Sequence, residues 1–231
     1  ACKNCFASLF TDRAISYRRE QGFDHMKVAL SVGVQKMVRA DRAGAGVMFT
    51  IDTETGFPDT VVINASWGLG ETVVAGTVNP DEYRVFKPLL DREDLEPILA
   101  RRLGGKAKMI VAASEAGEQA SEGEQTAEVE TPAEKRAGFV LDAGEMLQLA
   151  RWAVAIEKHY DRAMDIEWAK DGASGELFVV QARPETVQSQ KAAATLKAYS
   201  LKESGEAIVE GLAIGRAIGA GKAFVLESPD Q

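Results

Sequence analysis

Cysteine, histidine and long apolar runs are all scarce in this chain. Its 231 residues hold two cysteines and two histidines. The cysteines form a single Cys-x-x-Cys, Cys2 and Cys5, and one such pair cannot supply the several bridges of a small disulfide-framed domain. A zinc site would need two further ligands, and His25 and His159 are distant in sequence and not spaced as a ligand pair. Lys3 and Asn4 do not provide the setting of a thioredoxin-like redox motif, so both thiols read as ordinary ones of a reducing compartment. No apolar stretch is long enough to span a bilayer, and the amino terminus lacks the charged-then-apolar order of a signal peptide, which makes the expected location cytoplasmic. An excess of positive charge is missing too. Against 27 Lys and Arg stand 35 Asp and Glu, a formal charge of -8, which argues against a general binder of nucleic acid or of acidic membranes. The chain starts at Ala1 without methionine and enters a helix-like segment at once, so a fragment of a longer protein is expected.

What is present is core material. With 45% hydrophobic residues and 27% charged ones, the chain can bury a sizeable core and form one or two domains. Phe6, Leu9, Phe10, Ala14 and Tyr17 recur at helical spacing and predict a packed helix stopped near Gly22. Val28 to Val38 is valine-rich with little polarity and reads as a largely buried strand. Strands are also expected over Val47 to Ile51 and Thr60 to Ala65. Residues 114 to 134 are dense in Glu, Ala, Ser, Gln and Thr and read as an exposed, mobile acidic excursion. Asp142 and Glu145 then form a helix-entry signature, and Met146, Leu149, Ala150, Ala153 and Ile156 mark one buried stripe, with His159 read as a helix-terminal or packing histidine.

The most informative stretch is Met164-Asp165-Ile166-Glu167-Trp168, followed after a Gly-rich turn by Val180-Gln181-Ala182-Arg183-Pro184. Read as two strands, alternation puts Asp165 and Glu167 on one side and Gln181 and Arg183 together on the next strand. Antiparallel pairing with an even register sum brings all four to one face. Two carboxylates and an amide oxygen suit Mg²⁺, which keeps water and takes its remaining ligands from substrate phosphates. Arg183 suits a phosphate oxygen. The alternative is an exposed hairpin face whose charges pair with one another.

These residues resemble a family. MDIEWAKDG from Met164 and LFVVQARPETV from Leu177 are similar to the end of the ATP-grasp nucleotide-binding domain shared by phosphoenolpyruvate synthase, pyruvate phosphate dikinase and rifampin phosphotransferase. FASLFTDRAISYR from Phe6, VALSVGVQKMV from Val28, GVMFTIDTETGF from Gly46, INASWGLGETVVAGTVNPDEY from Ile63 and IEKHY from Ile156 agree with it in order. WGLGETVVAG and FTIDTETGF fit the synthase branch better. Asn64 to Thr72 lacks the lysine of a P-loop and the full spacing of a dinucleotide fingerprint, so neither of those folds follows.

The resemblance implies an α+β ATP-grasp portion over residues 1–190, with a mixed or antiparallel sheet and packed helices. A linker and the start of a phosphohistidine swivelling domain are implied over 191–231. It implies ATP as substrate and Mg²⁺ as cofactor, with pyruvate as the acceptor in the full-length enzyme through a mobile histidine, and a full-length homo-oligomer. Glu167 and Gln181 become metal ligands, Asp165 their charged support or a polariser, and Arg183 the phosphate clamp. Gln35, Lys36, Met37 and Val38 become the hinge that contacts adenine, and Glu71 lies near the nucleotide. Without the resemblance, Gln35 to Val38 reads as the end of a core strand. The family's phosphorylated histidine is not present before Gln231, nor is the amino-terminal half of the grasp, and neither His25 nor His159 takes that histidine's place. A non-catalytic interaction module that keeps the fold is the reading from a different class.

Overall fold

The computed structural model describes residues 1–92, 94–117, 124–185 and 221–222. Two compact units divide the chain, Ala1–Met37 and Val38–Gln231. The expected boundary near residue 190 and the expected start of a swivelling domain lie outside the described residues, apart from 221–222.

The first unit holds α1 (Cys2–Ala7), a 3-10 turn (Ser8–Phe10) and α2 (Asp12–Glu20). Thr11 caps α2 by accepting from the Ala14 N–H. Arg18 is buried, donating to His25 Nδ1 at 3.0 Å and to the Leu9 carbonyl at 2.6 Å, and so joins α2 to the segments on either side. The single packed helix expected here is divided, because Thr11 is extended between the 3-10 turn and α2, and its expected packing is not met either: Phe6, Phe10 and Tyr17 are exposed. The buried strand expected over Val28 to Val38 does not form. Those residues carry no helix or strand, and Val28, Leu30, Val34 and Met37 are exposed. Valine content measures how a side chain fits a pleated surface; a strand also needs a neighbour for its N–H and C=O groups.

The second unit is built on a six-stranded sheet in the order β4-β3-β2-β1-β7-β8, antiparallel throughout. Its strands are β1 (Gly44–Phe49), β2 (Thr60–Trp67), β3 (Asp81–Phe86), β4 (Ile98–Arg102), β7 (Met164–Lys170) and β8 (Leu177–Pro184). A hairpin of β5 (Lys108–Ala112) and β6 (Thr126–Glu130) forms a second small sheet. Short helices α3 (Glu71–Val74), α4 (Ala113–Ala116) and α5 (Ala133–Ala137) precede α6 (Ala143–Tyr160). No helix among the described residues is long and apolar enough to cross a membrane.

Residues 114–134 correct the expectation of one continuous loop. Thr126–Glu130 pairs residue for residue with Lys108–Ala112, and α5 starts at Ala133. The strand was hidden because its inward positions are only Ala127 and the half-buried Val129, alternating with Thr126, Glu128 and Glu130, and the glutamates dominate the composition. Residues 118–123 lie outside the described ones.

One face of the large sheet is covered. α6 begins with a full capping box, Asp142 accepting from the Glu145 N–H and Glu145 from the Asp142 N–H. Its predicted stripe is real: Met146, Leu149, Ala150 and Ala153 are fully buried against Ile63, Tyr83, Ile166 and Trp168, with Ile156 packed at the margin. Each large apolar side chain buried there contributes about 1.5–3 kcal/mol. Gly46 lets β1 and β2 close up, since a Cβ there would run into the Asn64 carbonyl and Trp168.

A buried polar knot fixes where α6 starts. Asp81 and Lys106 form an ion pair with neither side chain exposed. The Asp81 carboxylate also accepts from the Gly104 N–H at 2.8 Å, the Val140 N–H at 2.9 Å and the Tyr83 hydroxyl at 3.1 Å. Lys106 donates to the Gly104 carbonyl, and the Tyr83 oxygen accepts from the Leu141 N–H. Burial and the nearby Asp81 carboxylate hold the Tyr83 phenol protonated well above its ordinary range. At the other end of β3, Arg84 gathers Asp52 at 2.8 Å, Glu54 at 3.2 Å and Glu82 at 3.0 Å, tying down the turn after β1. Burial works against ionisation of Asp52, yet hydrogen bonds from Thr55 and Glu54, with the Arg84 guanidinium, hold it below the usual carboxylate range.

Two outcomes follow. Lys106→Met should destabilise the second unit by about 3–5 kcal/mol in chemical denaturation, because it leaves a buried carboxylate without its countercharge; a loss under about 1 kcal/mol would show that the knot is inessential. Asp52, with its folded pKa depressed, contributes stability that is complete above the ordinary value of 3.8 and is lost as pH falls through the folded value. Asp52→Asn should therefore lower stability at neutral pH and narrow its gap from the parent in acid; an equal gap from pH 7 to pH 3 would contradict this.

Candidate functional site

The second face of the large sheet is only partly covered. On this face of β2, Val62 is 4% exposed and Ser66 1%, while Asn64 between them is half-buried. Alongside, Val47 and Phe49 of β1 and Asp165 and Glu167 of β7 are also half-buried, and Gln181 and Arg183 of β8 are exposed. Asn64, Val47, Phe49, Asp165, Glu167, Gln181 and Arg183 share one partly exposed stretch of this face, an opening in its cover. It is bounded at one end by the turn that Arg84 holds, and at the other by a small apolar cluster of Ala40, Ala45 and Ala169 with Val38 and Leu69 packed on it.

Register explains why the residues meet. Glu167 lies opposite Gln181, and Asp165 opposite Arg183, so all four point from the same face. Across β1, Val47 lies opposite Glu167 on one side and Asn64 on the other, and Phe49 lies opposite Asp165. A register shift between Glu167 and Trp168 marks a bulge beside the Glu167 carboxylate, a feature that re-aims side chains.

Arg183 donates to Asp165 from Nε at 2.8 Å and from a terminal nitrogen at 2.7 Å. The mutual-pairing alternative is thus realised for these two. Arg183 nevertheless keeps 61% of its side chain exposed and presents further donors to the opening. Glu167 has no ion pair and no side-chain hydrogen bond among the described residues, and neither has Gln181. No three His, Cys, Asp or Glu residues come together to hold a metal among the described residues. The donor set, among the described residues, is one free carboxylate beside one free amide oxygen. That fits a hard divalent cation which draws its other ligands from water and phosphate.

Val38 packs with Ala45, Ala169 and Leu69, two positions along β7 from Glu167. Its place is secured next door: the Arg39 N–H donates to Asp171 at 3.1 Å, and the Gly172 N–H to the Arg39 carbonyl at 3.0 Å. Arg39 also forks onto Asp41, whose carboxyl is held low first by that hydrogen bond, with burial opposing. Gln35, Lys36 and Met37 belong to the first unit, where they lie outside helix and strand and are exposed. Glu71 is the exposed first residue of α3. The loop before it is anchored by Leu69 packing and by N–H bonds from Gly68 to Ala43 and from Leu69 to Ile110.

Sequence reasoning missed Asn64, Val47 and Phe49. An isolated asparagine inside the apolar run Thr60–Trp67 was the available signal, because asparagine is disfavoured in strand centres. It also missed the Arg84 network, whose members are separated by up to 32 positions.

A family model described as pyruvate phosphate dikinase, AMP/ATP-binding domain, matches residues 1–203. The chain is 55% identical to a phosphoenolpyruvate synthase of Synechocystis sp., with 100% of the chain and 28% of that relative covered. It is 53% identical to that of Helicobacter pylori over 97% of the chain, and 52% identical to that of Escherichia coli over 98%; in both the chain covers 28% of the relative. The chain therefore spans little more than a quarter of the length of these relatives, and with a family match over most of its residues it belongs to the pyruvate phosphate dikinase AMP/ATP-binding domain family.

Proposed function

We propose that this chain is the nucleotide-binding portion of a phosphoenolpyruvate synthase, that it holds Mg-ATP on the open face of the sheet, and that it orients the nucleotide for phosphorylation of a histidine carried elsewhere in the polypeptide. ATP and water would give AMP, phosphate and the phosphohistidine, and transfer of that phosphoryl group to pyruvate would give phosphoenolpyruvate and restore the free histidine. Residues 1–190 form the ATP-grasp portion in this reading, and 191–231 open the phosphohistidine domain. The observation that carries the reading is the free pair of oxygen donors, Glu167 opposite Gln181, beside an arginine held in place by Asp165.

Each residue has a separate task. Glu167 and Gln181 would hold Mg²⁺, whose chemistry there is neutralisation of phosphate charge. Asp165 fixes the Arg183 guanidinium so that its remaining donors meet a phosphate oxygen at little cost in ordering. Val38 and Leu69, on the apolar cluster by Ala169, offer a dry edge suited to a base, and Gln35, Lys36, Met37 and Glu71 would contact the nucleoside from the hinge and the loop. Such a site works by positioning and charge balance rather than by covalent chemistry. Neither histidine suits the acceptor role. The imidazole of His25 accepts from Arg18, and His159 sits edge-on to Tyr160 at the end of α6.

In the natural full-length polypeptide, Glu167→Ala and Gln181→Ala should each slow ATP-dependent histidine phosphorylation by about 10² or more while leaving thermal unfolding unchanged. Single-turnover labelling with β-labelled ATP measures this, and parental rates in both variants would make the pair merely structural. The 231 residues alone, incubated with labelled ATP, Mg²⁺ and pyruvate, should yield neither acid-labile phosphoprotein nor phosphoenolpyruvate. Turnover by this stretch alone would overturn the proposed division of labour.

A further inference from the structure

The opening contains one polar group that the reading above leaves without a task. Asn64 is in the middle of β2, and its neighbours on the same face of that strand are covered. Its side-chain amide makes no hydrogen bond among the described residues. A half-buried amide with no protein partner has its donors filled by water, and a ligand oxygen that displaces that water can take them over.

Its surroundings decide what that could be. Asn64 lies opposite Glu82 on one side and Val47 on the other, and Val47 in turn lies opposite Glu167. Two strand spacings separate Asn64 from Glu167, roughly 9–10 Å. Strand side chains stand roughly perpendicular to the sheet. The two therefore do not close to the roughly 3 Å that separates neighbouring oxygens on one Mg²⁺. The gap does accommodate an anionic group lying over Val47, ligating on the Glu167 side and accepting an N–H on the other. Val47 has no polar atom to compete for it. The nearby cation on β3 is already committed, since Arg84 is shared among Asp52, Glu54 and Glu82. With Glu82 and Glu167 on the flanks, the centre of the opening needs a donor without a carboxylate's charge, and an amide supplies it.

We propose that Asn64 is a phosphate-contacting residue of this site, donating its side-chain N–H to a phosphate oxygen of the nucleotide on the side of the cation away from Gln181. This rests on the nucleotide reading and adds to it the far wall of the phosphate subsite. Asn64 recognises the polyphosphate and not the nucleoside, so its variants separate the two.

The test uses the natural full-length polypeptide and equilibrium binding of Mg-ATP, of ATP with the metal chelated, and of adenosine. Asn64→Asp keeps the size and replaces a donor with a negative charge. It should weaken Mg-ATP binding about tenfold or more, Asn64→Ala should weaken it less, and adenosine binding and thermal unfolding should stay at parental values in both. Mg-ATP bound by Asn64→Asp as tightly as by the parent overturns the proposal, as does an equal loss for adenosine. Glu167→Ala measured alongside separates the layers: loss there with parental binding in Asn64→Asp leaves the nucleotide site standing without Asn64, and parental binding in both removes the site itself.

Discussion

The buried Asp81–Lys106 pair determines which face of the sheet is left for chemistry. Its carboxylate binds the N–H groups of Gly104 and Val140, so it joins β3, the chain after β4 and the entry to α6 in one dry knot. Once residues 140 and 141 are held there, the capping box starts α6 at a fixed point and the helix lies across Ile63, Tyr83, Ile166 and Trp168. A sheet residue covered by α6 is unavailable to a ligand. Its neighbours along each strand point the other way, toward the opening that Asn64, Val47 and Glu167 line. A pair removed from water contributes little net stability compared with apolar packing, but it tolerates few alternative arrangements, because every mispaired state leaves a buried charge unmet.

Charge on the open face is arranged so that little of it is free. Arg84 is surrounded by three carboxylates, Arg39 is forked onto Asp41, and Arg183 onto Asp165. Glu167 stands apart, ionisable and without an ion-pair partner among the described residues. A free carboxylate beside a free amide, on a face where other charges are matched, is where an incoming cation gains most. The surrounding pairs hold their side chains in place without cancelling that attraction. The exposed arginine of the set keeps donors in reserve, which suits a role toward an anion that arrives with the cation.

Some of this was legible in the residues. The β7–β8 hairpin follows from alternation and an Asp-Gly turn, and its register was recoverable because the even sum that joins Glu167 to Gln181 also joins Asp165 to Arg183. The α6 stripe and cap were equally local, since both depend on residues three and four apart. Val28 to Val38 misled because apolar β-branched content says that a segment would fit a sheet, not that an edge is offered to it. Thr126 to Glu130 misled in the opposite sense: partner strand β5 supplies its hydrogen bonds, and composition carries no record of a partner.

By itself the sequence determined what depends on near neighbours: the start of α6, the two-residue alternation that sorts Asp165 and Glu167 from Ile166 and Trp168, and the family. Only the tertiary structure decided what depends on pairing between distant segments. It put Val47 between Glu167 and Asn64, brought Val38 onto Ala169, held Arg84 among carboxylates from another turn, and covered Val62 and Ser66 while leaving Asn64 open. The physical reason is that a strand's own sequence fixes which side chains share a face, whereas its neighbours, and the segments packed above them, fix which of those side chains a ligand can reach.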